Sequence, residues 1–168
     1  PDAEEICGDG LDNDCDDTLN DCVFEDQVNL EDAAAKIKGE SSQAYAGFWV
    51  AGAGDSDGDG KDDVLIGAFA DSDGGDSAGA VYLMTEVMET GSVTHAVAKL
   101  IGEEEYDKAG SSASAGDVDG DGNPDLIIGA PGQDAMGSNA GAVYVVYGPV
   151  NSDMSLASAD AILLGPDA

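Results

Sequence analysis

The sequence predicts an all-β chain of two successive four-stranded antiparallel units, with a small acidic, cysteine-containing loop ahead of them. Three observations carry this. A nine-residue acidic loop occurs twice, as Asp55-Ser-Asp57-Gly-Asp59-Gly60-Lys61-Asp-Asp63 and as Asp117-Val-Asp119-Gly-Asp121-Gly122-Asn123-Pro-Asp125. The residues that follow align without a gap, Asp63 to Tyr82 onto Asp125 to Tyr144, and ten of the twenty pairs are identical. A short aliphatic run follows each loop, Val64-Leu65-Ile66 and Leu126-Ile127-Ile128, and ends in Gly-Ala. Short aliphatic runs bounded by glycine are strand composition.

In chain order, residues 1–22 stand apart as an acidic segment with Cys7, Cys15 and Cys22. Counting from Asp12 gives a third loop, whose ligands would be Asp12, Asp14, Asp16, the Thr18 carbonyl, and Asn20 or Asp21. It departs from the other two at Asp17, where they have glycine, and at Asn20, where they have aspartate. The stretch resembles the short MopE-type metal-binding motif of secreted bacterial proteins. Three cysteines so close together in a secreted chain suggest one disulfide and one remainder. Cys7–Cys15 would close the loop, Cys22 could pair with either or with a residue outside this segment, and zinc held by the cysteines is the weaker alternative because no histidine is near. Residues 23–32 are expected to be a linker.

The repeats are expected over 33–168, with units at about 39–102 and 102–165. Repeat one should carry strands near 47–52, 64–69, 79–85 and 95–101, and repeat two near 110–115, 126–130, 141–147 and 161–164. Glycine, serine and aspartate fill the gaps, as turns require. Four short antiparallel strands per unit is the composition of one propeller blade. The outer-strand sequence occurs three times, at 35–38, 98–101 and 161–164, against two sets of inner strands. The 33–38 copy is therefore expected to pair with strands outside this segment. Two blades cannot close a ring, so the chain reads as part of a larger propeller or assembly.

Each D-x-D-x-D-G-x-x-D loop has the ligands of a calcium site. Carboxylates at positions 1, 3, 5 and 9 and the carbonyl at position 7 are hard oxygen donors, and the glycine at position 6 permits the sharp turn. The ligands are Asp55, Asp57, Asp59, the Lys61 carbonyl and Asp63, and then Asp117, Asp119, Asp121, the Asn123 carbonyl and Asp125. An EF-hand would need glutamate at position 12, where Ile66 and Ile128 stand. The expected cofactor is calcium, at two sites and at a third in the N-terminal loop.

Ala46-Gly47, the first loop and Gly67-Ala68-Phe69 resemble an FG-GAP repeat, as do Ala109-Gly110, the second loop and Gly129-Ala130-Pro131. This is the repeat of the integrin alpha-subunit β-propeller and of many bacterial surface proteins. The sequence departs from it at Ala46 and Ala109, in place of Phe, and at Phe69, in place of Pro. The resemblance implies a seven-bladed propeller with calcium at the blade edges.

The net charge of −31 disfavours nucleic acid and anionic membrane as partners, and no segment approaches the length of a membrane span. His95 is the lone histidine, and no constellation suggests an enzyme. Phe48-Trp49-Val50 reads as inter-blade core, with a sugar-stacking platform as the lesser alternative. The function expected is an extracellular calcium-binding propeller segment, secreted or on a bacterial cell surface, in adhesion, surface assembly or ligand binding. Its partners would be a protein or carbohydrate ligand, or further copies of itself. The alternatives are a non-catalytic module of a larger secreted enzyme and a subunit of an extracellular fibre.

Overall fold

The computed structural model describes residues 30–33, 35–85 and 90–166. By its contacts the chain divides into residues 1–33 and 34–168. In the first, the described part is a single 3-10 turn, Leu30–Asp32. The second is all β, with strands β1 (Ile37–Lys38), β2 (Trp49–Gly54), β3 (Asp63–Ala68), β4 (Ala80–Met84), β5 (Gly91–Ser92), β6 (Ala98–Ile101), β7 (Ser112–Gly116), β8 (Asp125–Ala130), β9 (Ala142–Val146), β10 (Met154–Ser155) and β11 (Ala161–Leu164).

Strands β2, β3, β4 and β6 form one antiparallel blade, and β7, β8, β9 and β11 form the next. The period of two divides each blade's side chains between two faces. In blade 1, Leu65, Val81, Leu83 and Leu100 share the back face, and Ile66, Tyr82 and Met84 share the front. The back face packs on Leu126, Ile128, Tyr144 and Val146 of blade 2, in one continuous core. The front face gathers Ala44 and Val93 into a smaller cluster with Ile37 at its edge. Blade contact is backbone-close: a Cβ on Gly67 would lie 2.2 Å from the Gly110 carbonyl oxygen. Trp49 ties the blades by donating its indole N–H to the Ala113 carbonyl at 2.7 Å.

The first outer strand begins later than its composition suggests, at Ala98, while the second runs over Ala161–Leu164 as expected. Ser92 caps a 3-10 turn over Val93–His95, and Ser155 caps the equivalent turn over Leu156–Ser158. Each turn buries one apolar residue, Val93 or Leu156, and precedes an outer strand that starts at Ala98 or Ala161. A hydroxyl that caps a turn competes with extended backbone, which shortens the strand.

The pairing of the first outer-strand copy corrects the sequence expectation. Ile37 and Lys38 pair in parallel with Gly91 and Ser92 of the same chain. Leu100 and Ile101 pair in the same register and sense with Met154 and Ser155. Residues 37–38 thus hold the place of an outer strand ahead of blade 1, secured by a bridge that composition alone did not reveal.

Candidate metal centre

Both acidic loops join the innermost strand of a blade to the next strand, β2 to β3 and β7 to β8. Gly58 and Gly60 have φ of +80° and +88°, and Gly120 and Gly122 have +85° and +92°. Side chains are strained in that region, so glycine lets the loop fold its carboxylates inward.

Backbone amides set the carboxylate positions alike in the two loops. Gly60 N–H donates to Asp55 Oδ2 and Gly122 N–H to Asp117 Oδ2, both at 3.0 Å. Asp59 N–H donates to Asp57 Oδ1 and Asp121 N–H to Asp119 Oδ1, again at 3.0 Å. In the first loop, carboxylate oxygens of Asp55, Asp57 and Asp59 lie within 4.8 Å of one another. In the second, those of Asp117, Asp119 and Asp125 do so. The position-9 residue of the first loop, Asp63, and the position-5 residue of the second, Asp121, lie outside these groupings. Lys61 and Asn123, named for their carbonyls, place their side chains on the position-5 carboxylates.

The position-9 carboxylates are buried at the heads of β3 and β8. Asp63 Oδ2 accepts from Ser56 N–H at 2.7 Å and from Ser56 Oγ at 2.5 Å, while Asp63 Oδ1 is buried and accepts no hydrogen bond. A buried carboxylate oxygen with no donor is costly unless a cation meets it. That orphan oxygen and the all-oxygen donor set fit a hard cation. Asp125 differs, since Oδ2 accepts from Val118 N–H and Oδ1 from Gly148 N–H at 2.9 Å. Chiefly the Gly148 amide, against burial, holds the Asp125 carboxyl below its usual range. The Lys61 side chain does the same for Asp59.

Asp12, Asp14, Asp16, Thr18, Asn20 and Asp21, and the three cysteines, lie outside the described residues. His95 is exposed in its 3-10 turn. Phe48 is exposed and packs on Phe69, with ring centroids 4.5 Å apart.

Residues 109–146 match the FG-GAP repeat. The matched stretch runs from Ala109 through the second acidic loop to the end of β9. The chain is also similar to integrin alpha-5 of Xenopus laevis, at 43% identity over 120 residues that cover 67% of this chain. It spans 11% of that relative's length. The FG-GAP match therefore lies over blade 2, and blade 1 repeats its strand order and loop geometry.

A charged cluster escaped the sequence reading. Lys99 Nζ, on β6, lies 2.6 Å from Asp73, 3.0 Å from Glu40 and 3.1 Å from Asp71. Tyr82 donates its hydroxyl within 3.0 Å of both Glu40 and Asp71. Burial pulls the Lys99 amine down, but the bonds to Asp73, Glu40, Tyr82 and Asp71 outweigh it and hold its pKa above the usual value. In blade 2 the equivalent positions are Ile162, Gln133 and Ala135, and Tyr144 bonds to Glu103 alone. The signal was that concerted replacement, visible when the repeats are aligned.

Proposed function

We propose that this chain is a calcium-stabilised, non-catalytic FG-GAP module of an extracellular, integrin-like propeller, acting in adhesion or ligand binding. The observation that carries the reading is the buried, donor-less Asp63 Oδ1 at the end of a loop whose twin recurs in blade 2 with matching amide contacts. Asp55, Asp57, Asp59, the Lys61 carbonyl and Asp63 would hold one ion, and Asp117, Asp119, Asp121, the Asn123 carbonyl and Asp125 a second. The bound cation would neutralise carboxylates that otherwise repel, and so fix the β2–β3 and β7–β8 turns.

Several observations support the setting. The integrin alpha-5 similarity favours an extracellular protein that engages a protein ligand. Among the described residues no helix is long and apolar enough to cross a membrane. The net charge of −31 suits surroundings rich in divalent cations and repels polyanions.

The test is calorimetric titration of calcium into chelator-stripped protein, read beside thermal melts. Two or more ions bound, with a rise in melting temperature on binding, support the reading. A melt indifferent to chelator, with no heat of binding, rejects it.

A further inference from the structure

Three aromatic side chains of blade 1 gather at one spot, where blade 2 has none. Tyr45 stands where blade 2 has Lys108, Phe48 where it has Ser111, and Phe69 where it has Pro131. Tyr45 stacks on Phe69, with ring centroids 5.3 Å apart and planes 24° apart, and Phe69 in turn rests on Phe48 at 4.5 Å. The stack fixes the Tyr45 ring and still leaves the residue 60% exposed. An exposed aromatic patch held rigid in this way marks a binding surface.

Beside the ring lies a hollow of 420 Å³, within the range of small-ligand sites, about 300–1,000 Å³. Its walls are residues 41–45 and the loop between β3 and β4, tied together where Ala70 N–H donates to the Ala44 carbonyl at 3.3 Å. They bring Ser41, Ser42 and Gln43 together with Ser72, Asp76 and Ser77. Asp76 is held in place: Tyr106 donates its hydroxyl to Asp76 Oδ2 at 2.9 Å, and Ser77 donates its hydroxyl to Oδ1 at 3.2 Å. The β3–β4 loop lies at the opposite end of the blade from the acidic β2–β3 loop, because successive hairpins turn at alternate ends.

Packed neighbours leave this region open. With blade 2 against blade 1, Ser41, Ser42, Gln43 and Tyr45 remain exposed. In blade 2, with blade 1 ahead of it, the equivalent Glu104, Tyr106, Lys108 and Asn139 are exposed as well. The backbone path is shared. Gln43, Tyr45 and Ser77 have φ of +72°, +55° and +54°, and Tyr106, Lys108 and Asn139 have +66°, +58° and +53°.

We propose that this hollow binds a neutral saccharide, with a pyranose ring stacked on Tyr45 and its hydroxyls bonded to Asp76, Gln43 and the serines. The inference rests on the ligand-binding reading above and names the class of ligand. The C–H groups on one face of a pyranose pack on an aromatic ring. Its hydroxyls donate and accept, which suits carboxylate, carboxamide and hydroxyl partners. Charge rules against acidic sugars: no cation lines the hollow, and a net charge of −31 repels uronates and sulfates. An aromatic cage for a cation needs rings that close around it, whereas Tyr45 and Phe69 lie nearly parallel.

Calorimetric titration of the full chain tests this, in calcium and enough salt to screen the acidic surface. The probes are the hexasaccharides of cellulose, chitin, mannan, xylan and starch, with a heparin hexasaccharide and hexa-arginine for comparison. The wild type should bind at least one neutral hexasaccharide and not the heparin one. Tyr45→Lys places in blade 1 the residue that blade 2 holds at the same φ, and should weaken that binding by about tenfold or more, the scale of a lost ring stack. Tyr45→Trp keeps a stacking ring and should preserve the binding. Melts of the same samples with and without calcium test the calcium reading separately, so a calcium-dependent rise with no sugar bound sinks this inference alone. Failure of all five neutral hexasaccharides to bind, or undiminished binding by Tyr45→Lys, overturns the proposal. So does hexa-arginine binding that Tyr45→Lys removes while no sugar binds, since the occupant would then be a basic peptide.

Discussion

The Lys61 ammonium lies 2.5 Å from Asp59 Oδ2, in the same relation to its loop as the neutral Asn123 amide, 2.9 Å from Asp121 Oδ2, holds in the other. Both residues also donate a backbone N–H to the other carboxylate oxygen, at 2.9 Å and 2.7 Å. The loops are thus matched in shape and differ in charge at this contact. A tethered cation on a calcium ligand opposes a second cation there. The first loop should bind calcium on the order of tenfold more weakly than the second, the scale of one exposed unit charge at contact distance. Lys61→Asn should tighten the first site and Asn123→Lys should loosen the second. Site-resolved calcium titration of the two variants checks this, and equal affinities in all three proteins would count against it.

Asp125 supplies a pH dependence. Its folded pKa is depressed, chiefly by the Gly148 amide, so its contribution to stability is present above the unfolded carboxylate value, about 4, and is lost as pH falls through the lower folded value. In chelator, Asp125→Asn should flatten the fall of melting temperature below about pH 4. A variant that tracks the wild type through that range would show that Asp125 is not the group responsible.

Lys99 sits among three carboxylates, and its side chain and that of Asp71 are 10% and 3% exposed. Removing the cation alone strands buried negative charge, so Lys99→Ile should cost about 3 kcal/mol by denaturant unfolding. Blade 2 shows how to remove the cluster without that penalty. Lys99→Ile combined with Asp71→Gln and Asp73→Ala copies Ile162, Gln133 and Ala135, and should recover most of the loss. A triple variant no more stable than the single one would mean that the charges do not act as a unit.

Blade packing can be tested at one pair of equivalent glycines. Gly67→Ala drives a Cβ to 2.2 Å from the Gly110 carbonyl oxygen and should destabilise the fold by about 2 kcal/mol. At Gly129 the nearest obstacle is the Ser112 hydroxyl at 2.3 Å, which can rotate away. Gly129→Ala should therefore cost the fold under about 1 kcal/mol. Equal losses at the two sites would mean that the Gly110 carbonyl is not what makes a side chain at Gly67 costly.

Much of the fold could be read from the chain because each signal was local and occurred twice. The aliphatic runs after Asp63 and Asp125 and the recurring Ala-Val-Tyr at 80–82 and 142–144 marked the inner strands to within a residue or two. The acidic loops were legible for the same reason: ligand type and spacing lie within nine consecutive residues. What escaped was non-local. Ile37-Lys38 pairs with Gly91-Ser92, two residues with no strand composition. The Lys99 cluster draws on Glu40, Asp71 and Asp73 from separate loops, brought together only by the blade. The free Oδ1 of Asp63 is a matter of side-chain geometry, and its twin Asp125 looks identical in sequence yet finds a donor in Gly148.

The most direct measurement is the number of calcium ions bound per chain and the stability they confer. Chelator-stripped protein titrated with calcium should take up at least two ions, and saturating calcium should raise the melting temperature. Asp59→Ala and Asp121→Ala should each remove one ion from the count. Protein that melts at the same temperature in calcium and in chelator, and binds no ion in either loop, would contradict the calcium assignment outright.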